Sequence, residues 1–172
     1  MITLEQVKQE IHNWTKNYLD VPSDHYNGNK PCPFAKKTLD TNDYRIELTS
    51  EHPARWYQEF AEDDKKIYII AYQPDMIGLG EAVEELNLKW LQDDVWGIAF
   101  EPSDEVPEDD TNDPDQWGSV TEESYPLLLI QSLSELDSLS LSLEKKGYYK
   151  NCSPDFMKQF DARKELAKCQ DA

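Results

Sequence analysis

Between Trp90 and Glu144 the chain has no lysine and no arginine, while the same stretch holds 15 acidic residues. That one-signed gap is the largest absence in a 172-residue chain of formal net charge -18. Spread evenly over a surface of roughly 8,700 Å², eighteen charges would lie about 20 Å apart, beyond the Debye length of about 8 Å. Screening would then erase most of the field, so clustering is what gives the acidity its reach. The sign excludes nucleic-acid phosphates and anionic membrane surfaces as expected ligands.

Other absences narrow the reading further. Cysteine is scarce: Cys32, Cys152 and Cys169 are odd in number and widely spaced. They fit neither a disulfide framework nor a paired metal motif, and a reducing, cytoplasmic setting is the expectation. No run of apolar residues approaches membrane-spanning length, and the start Met1-Ile2-Thr3-Leu4-Glu5 lacks a basic leader. His12, His25 and His52 show no metal-binding spacing, Gly78 and Gly80 match no phosphate loop, and no nucleophile elbow is present. No cofactor and no metal site are expected on these grounds. An EF-hand register started at Asp113 puts Trp117 at a ligand position and Ser124 where the bidentate Glu belongs, so the calcium motif fails.

What is present describes a globular chain. Five Trp, nine Tyr and five Phe supply large core pieces, which a disordered acidic chain would lack. The length predicts a single domain over 1–172. Leu4, Val7, Ile11, Trp14 and Tyr18 recur at helical spacing, with Thr3 and Gln6 as a capping box. A polar loop from Asp20 to Lys30 then leads to Pro31-Cys32-Pro33-Phe34-Ala35-Lys36.

From Tyr44 strands alternate with helices. The strands are expected at 44–49, 67–72, 94–100 and 125–131. The helices are expected at 53–62, from Pro74 through Trp90, from Ser132 to a Gly147 cap, and over 153–169 behind Ser153-Pro154. The acidic segment 101–124 carries three prolines and reads as a solvated loop. The order predicts an α+β fold. It has one four-stranded mixed or antiparallel sheet with helices mainly on one face, a variant of the ferredoxin-like plait. A doubly wound parallel sheet is the alternative, disfavoured because four strands leave little room for a switch-point crevice.

Two constellations bear on function. Cys32 lies between prolines at a loop end, with His25 on that loop and Arg45 on the next strand. As a nucleophile Cys32 needs a depressed pKa, and His25 and Arg45 are the candidate catalytic partners. The competing reading makes Cys32 a small buried hydrophobe that anchors the loop. The second constellation is the acidic 90–144 stretch itself, a candidate surface for a basic protein partner or a phosphate mimic.

Trp14 on the first helix, Cys32-Pro33-Phe34-Ala35-Lys36 and Arg45 on a strand together resemble an uncharacterised family of small bacterial proteins. The strand at 67–72, Ala99-Phe100 and Ser124-Tyr125-Pro126-Leu127-Leu128 follow in similar order. The family's pattern has a His-Pro where this chain has Glu101-Pro102, and a basic stretch where 128–134 has none. The resemblance implies no known activity, and the departures remove the family's most plausible polar site residues.

Overall fold

The computed structural model describes residues 2–101 and 125–171. Its centre is one four-stranded sheet of β1 (Tyr44–Thr49), β2 (Ile67–Tyr72), β3 (Val95–Phe100) and β4 (Leu127–Ser132). The spatial order is β1-β2-β4-β3. β1 pairs parallel to β2, with Tyr44 opposite Ile67, while β4 runs antiparallel to both β2 and β3. The sheet is therefore mixed and the class α+β, as expected, and β3 and β4 pair antiparallel across the acidic connection.

β2 and β3 point the same way with β4 inserted between them, which is the split βαβ arrangement of the plait. The variation is β1, which joins the outer side of β2 in parallel through helix α3 (Pro53–Glu62).

β2 explains the layering. Its sequence Ile-Tyr-Ile-Ile-Ala-Tyr is apolar throughout, as befits a central strand buried on both faces. Tyr68, Ile70 and Tyr72 pack against Trp56, Tyr57 and Phe60 of α3 and against Leu79, Val83 and Leu86 of α4 (Leu79–Lys89). Ile69 and Ala71 face the other way, onto Val7 and Ile11 of α1 (Leu4–Trp14), with Ile46 and Leu127 beside them. Burying one such large side chain stabilises the fold by about 1.5–3 kcal/mol. α3 and α4 thus cover one face of the sheet and α1 the other. Because α1 precedes the alternating pattern, nothing in that pattern assigns its face.

Local signals set most helix starts. Thr3 Oγ1 accepts from Gln6 N at 3.3 Å and Gln6 Oε1 accepts from Thr3 N at 2.9 Å, completing the capping box. His52 Nδ1 accepts from Ala54 N at 3.2 Å ahead of Pro53. Ser153 caps α6 (Pro154–Lys168), and Gly147 takes the left-handed backbone (φ 72°) after α5 (Leu133–Lys145). Pro74 does not open α4. Met76 N bonds Gln73 O in a turn, and Gly78 at φ 73° admits the chain to the helix at Leu79. Two further elements depart from the expected pattern: a π-helical turn over Thr15–Leu19, and a short helix α2 (Ala35–Asp40) directly after Cys32.

Candidate functional site

Nine of the fifteen acidic residues between Trp90 and Glu144 lie in 102–124, outside the described residues, as does the acidic loop expected there. The six that are described do mostly internal work. Glu101, just past β3, accepts from Leu79 N at 2.7 Å through Oε1. A carboxylate there meets the positive end of α4, whose N-cap Gly78 has no side chain to offer. Glu135 pairs with Lys66 at 2.5 Å and Glu144 with Lys164 at 3.3 Å.

Asp94 is the most heavily engaged. It sits at φ 60°, a left-handed position that Asp tolerates, in the turn that enters β3. Its Oδ2 accepts from Ser132 Oγ at 2.6 Å and Ser134 Oγ at 2.8 Å; its Oδ1 accepts from Ser134 N at 2.7 Å and Gln170 Nε2 at 3.1 Å. Burial is the largest single influence on its titration and opposes ionisation. The hydrogen bonds from Ser132, Ser134 and Gln170 together outweigh it and hold the pKa below the usual carboxylate value. One side chain therefore caps α5, closes the end of the sheet and ties down the last turn of the chain.

An open cavity of about 270 Å³ lies at this end of the sheet. Phe60, Ala61 and Val95 supply apolar lining; Asp63, Asp64, Asp93, Asp94 and Glu135 bring carboxylates, and Lys65 and Lys66 bring amines. Several of those groups are already satisfied: Lys66 by Glu135, Lys65 by Asn42 O at 3.0 Å, and Asp63 by the Tyr68 hydroxyl at 2.5 Å. Among the described residues no group of three or more His, Cys, Asp or Glu is arranged to hold a metal ion.

The three residues singled out as a catalytic set fall in two places. Cys32 is half-buried where the loop enters α2, its backbone N bonded to Leu19 O at 3.1 Å. Burial pushes its thiol up, against smaller lowering contributions from the Phe34 and Ala35 amides. That is the opposite of an activated thiolate. His25 packs edge-on to Tyr26, with ring centroids 4.7 Å apart, in the cluster of Tyr26, Tyr148 and Leu143.

Arg45 belongs elsewhere. Its guanidinium reaches Glu47 and Glu59 at 2.8 Å each and packs on the rings of Trp56 (5.4 Å) and Tyr68 (5.3 Å). Glu59 in turn pairs with Arg55 at 2.7 Å. Trp56 and Tyr68 belong to the core between the sheet and α3, apart from the Tyr26–Tyr148 cluster that neighbours Cys32. The geometry makes Arg45 the centre of an ion-pair and cation–π network that fastens β1 to α3.

Sequence reasoning passed over Asp94, Lys66 and Gln170. The signal for Asp94 was an Asp-Asp pair just before a strand, a turn composition; its partners are dozens of residues away and left no local trace. Comparison of the chain with protein-family models, curated proteins and solved structures returns no match. Among the described residues, no helix is long and apolar enough to cross a membrane.

Proposed function

We propose that this is an interaction or accessory protein that offers its acidic 90–144 stretch to a basic protein partner. The observation that carries the reading is the uneven distribution of the acidic residues along the chain. Glu101, Asp94, Glu135 and Glu144 are used within the fold, whereas 102–124 adds nine acidic side chains and no basic one. Half of the chain's net charge thus falls in 23 residues. Charge at that density steers and holds a cationic surface. The same reading puts the protein in a reducing cytoplasm and gives it no nucleic-acid ligand. An enzyme with a pocket around Cys32 draws less support, since the thiol is raised and Arg45 is committed to Glu47 and Glu59.

The test is binding of a fluorescent decalysine peptide, followed by anisotropy at low and at physiological salt. Exposed ion pairs contribute up to about 1 kcal/mol each. Neutralising Glu108, Asp109 and Asp110 to their amides should then weaken binding by as much as about a hundredfold. Affinity should fall as salt rises. Binding that ignores both the triple substitution and the salt would overturn the proposal.

A further inference from the structure

The two edges of the sheet are finished differently. At β3, Asn87 accepts from Gly97 N at 2.7 Å and donates to Gly97 O at 3.0 Å, so a side chain occupies the outer edge. β1 is the other edge strand. Asp43 O accepts from Ile67 N at 3.3 Å and Thr49 O from Gln73 N at 3.4 Å. Hydrogen bonding alternates along a strand, so Arg45, Glu47 and Thr49 bond inward to β2. Tyr44, Ile46 and Leu48 therefore turn their N–H and C=O groups outward, and among the described residues nothing bonds to those groups. The side chains of these three lie on the α1 face, where Tyr44 and Leu48 are only partly buried. A strand edge with unpaired groups is a template for pairing with another chain.

We propose that β1 pairs antiparallel with β1 of a second copy of this chain, about a two-fold axis at Ile46. In that register the outward groups of Ile46 meet those of Ile46 in the second copy, and those of Tyr44 meet those of Leu48. Every outward N–H then finds an outward C=O. Tyr44 also lies beside Leu48 of the second copy on the α1 face, which covers the apolar area that each leaves open. On the opposite face Arg45 stands across from Glu47 of the second copy. The two neighbouring registers that keep the hydrogen bonding set Arg45 against Arg45 or Glu47 against Glu47, and like charges directly opposite are unfavourable. Arg45 and Glu47 are already paired within the chain at 2.8 Å, so at the seam their signs choose the register rather than supply the attraction. β1 holds one arginine and one glutamate and is neutral, so the net charge of -18 that makes two copies repel lies elsewhere in the chain. The proposal stands apart from the acidic-surface reading, since β1 lies outside 90–144.

Sedimentation velocity of the full chain, from about 1 μM to about 1 mM at physiological salt, should show a monomer–dimer equilibrium. Glu47→Arg alone, or Arg45→Glu alone, puts like charges across the axis and should weaken the dimer by about tenfold or more. Mixing the two variants should restore it, because in the mixed pair each of these positions faces the opposite sign. Amide exchange followed by NMR on the parent reads the edge itself: the N–H groups of Tyr44, Ile46 and Leu48 should exchange more slowly as concentration rises. A parent that stays monomeric throughout, a dimer that both single variants leave intact, a mixture no tighter than either variant alone, or outward amides that ignore concentration would each overturn the pairing. Should either variant not fold, sedimentation and amide exchange of the parent decide alone.

Discussion

Replacing Gly97 with Ala should be among the costliest single-methyl changes in this fold. Gly97 lies in β3 directly under α3 and α4, and a Cβ there would stand 2.0 Å from the Tyr57 hydroxyl oxygen, 2.9 Å from Tyr57 Cζ and 3.1 Å from Leu128 Cδ1. None of these can yield cheaply. Tyr57 and Leu128 are both fully buried, and the Tyr57 hydroxyl donates to Asn87 Oδ1 at 2.8 Å. Asn87 in turn accepts from Gly97 N at 2.7 Å and donates to Gly97 O at 3.0 Å, so its amide closes the outer edge of β3 like a one-residue strand. Overpacking costs about 1–3 kcal/mol, and stranding the buried hydroxyl adds about 1–3 kcal/mol. Together these reach about 2–6 kcal/mol, a large part of the 5–15 kcal/mol that holds a typical domain. Urea denaturation followed by tryptophan fluorescence measures the loss. A second variant locates its cause: Tyr57→Phe removes the atom in closest conflict, so Gly97→Ala should cost less in that background than in the parent. A loss below about 1 kcal/mol in the parent, or equal losses in both backgrounds, would refute the steric argument.

Three other outcomes follow from the same contacts. Asn87→Leu keeps the branched shape of the side chain but removes the amide that Gly97 N, Gly97 O and the Tyr57 hydroxyl share; it should cost about 3 kcal/mol or more, and the opened β3 edge should show as concentration-dependent association in light scattering. Asp94→Asn should cost about 1 kcal/mol at neutral pH, the worth of a helix cap. Because the folded pKa of Asp94 lies below its unfolded value, the stability it adds is present above about pH 4 and disappears as pH falls through the folded pKa, so the two denaturation midpoints should converge in acid. Alkylation of Cys32, with Cys152 and Cys169 replaced by Ser, should have a midpoint above the ordinary thiol value of about 8.5; a midpoint well below 8 would restore the enzyme reading.

Where the sequence was legible, one residue or one short period carried the whole signal. β1, β2 and α3 begin and end at the residues their alternation and the His52-Pro53 start indicate. The gaps have specific causes. α2 is six residues with no buried side chain, so no apolar period exists to reveal it. The turn at Thr15–Leu19 widens from α- to π-helical, and a spacing of three and four residues does not distinguish the two. Pro74 is a good first residue for a helix and an equally good turn residue; only the left-handed Gly78 settles where α4 starts. The Ser132 cap was legible, since its hydroxyl accepts from Glu135 N at 3.1 Å, but the Glu135 side chain turns to Lys66 instead of back to the cap.

The candidate sites were less legible because charge in a sequence says nothing about engagement. Asp94 and the acidic residues of 102–124 look alike as letters, yet Asp94 is saturated by four hydrogen bonds that come from β4, α5 and the last turn of the chain. Arg45 shows the same limit from the other side. Beside Cys32 and His25 in the chain it reads as a polar partner for a thiol, but a guanidinium held by Glu47 and Glu59 and stacked on Trp56 and Tyr68 has its charge already answered. Moving it to Cys32 would break two ion pairs and leave Glu59 with Arg55 alone. Subtracting the internal partners therefore removes Asp94 and Arg45 from the candidate functional charges, which their letters alone do not do.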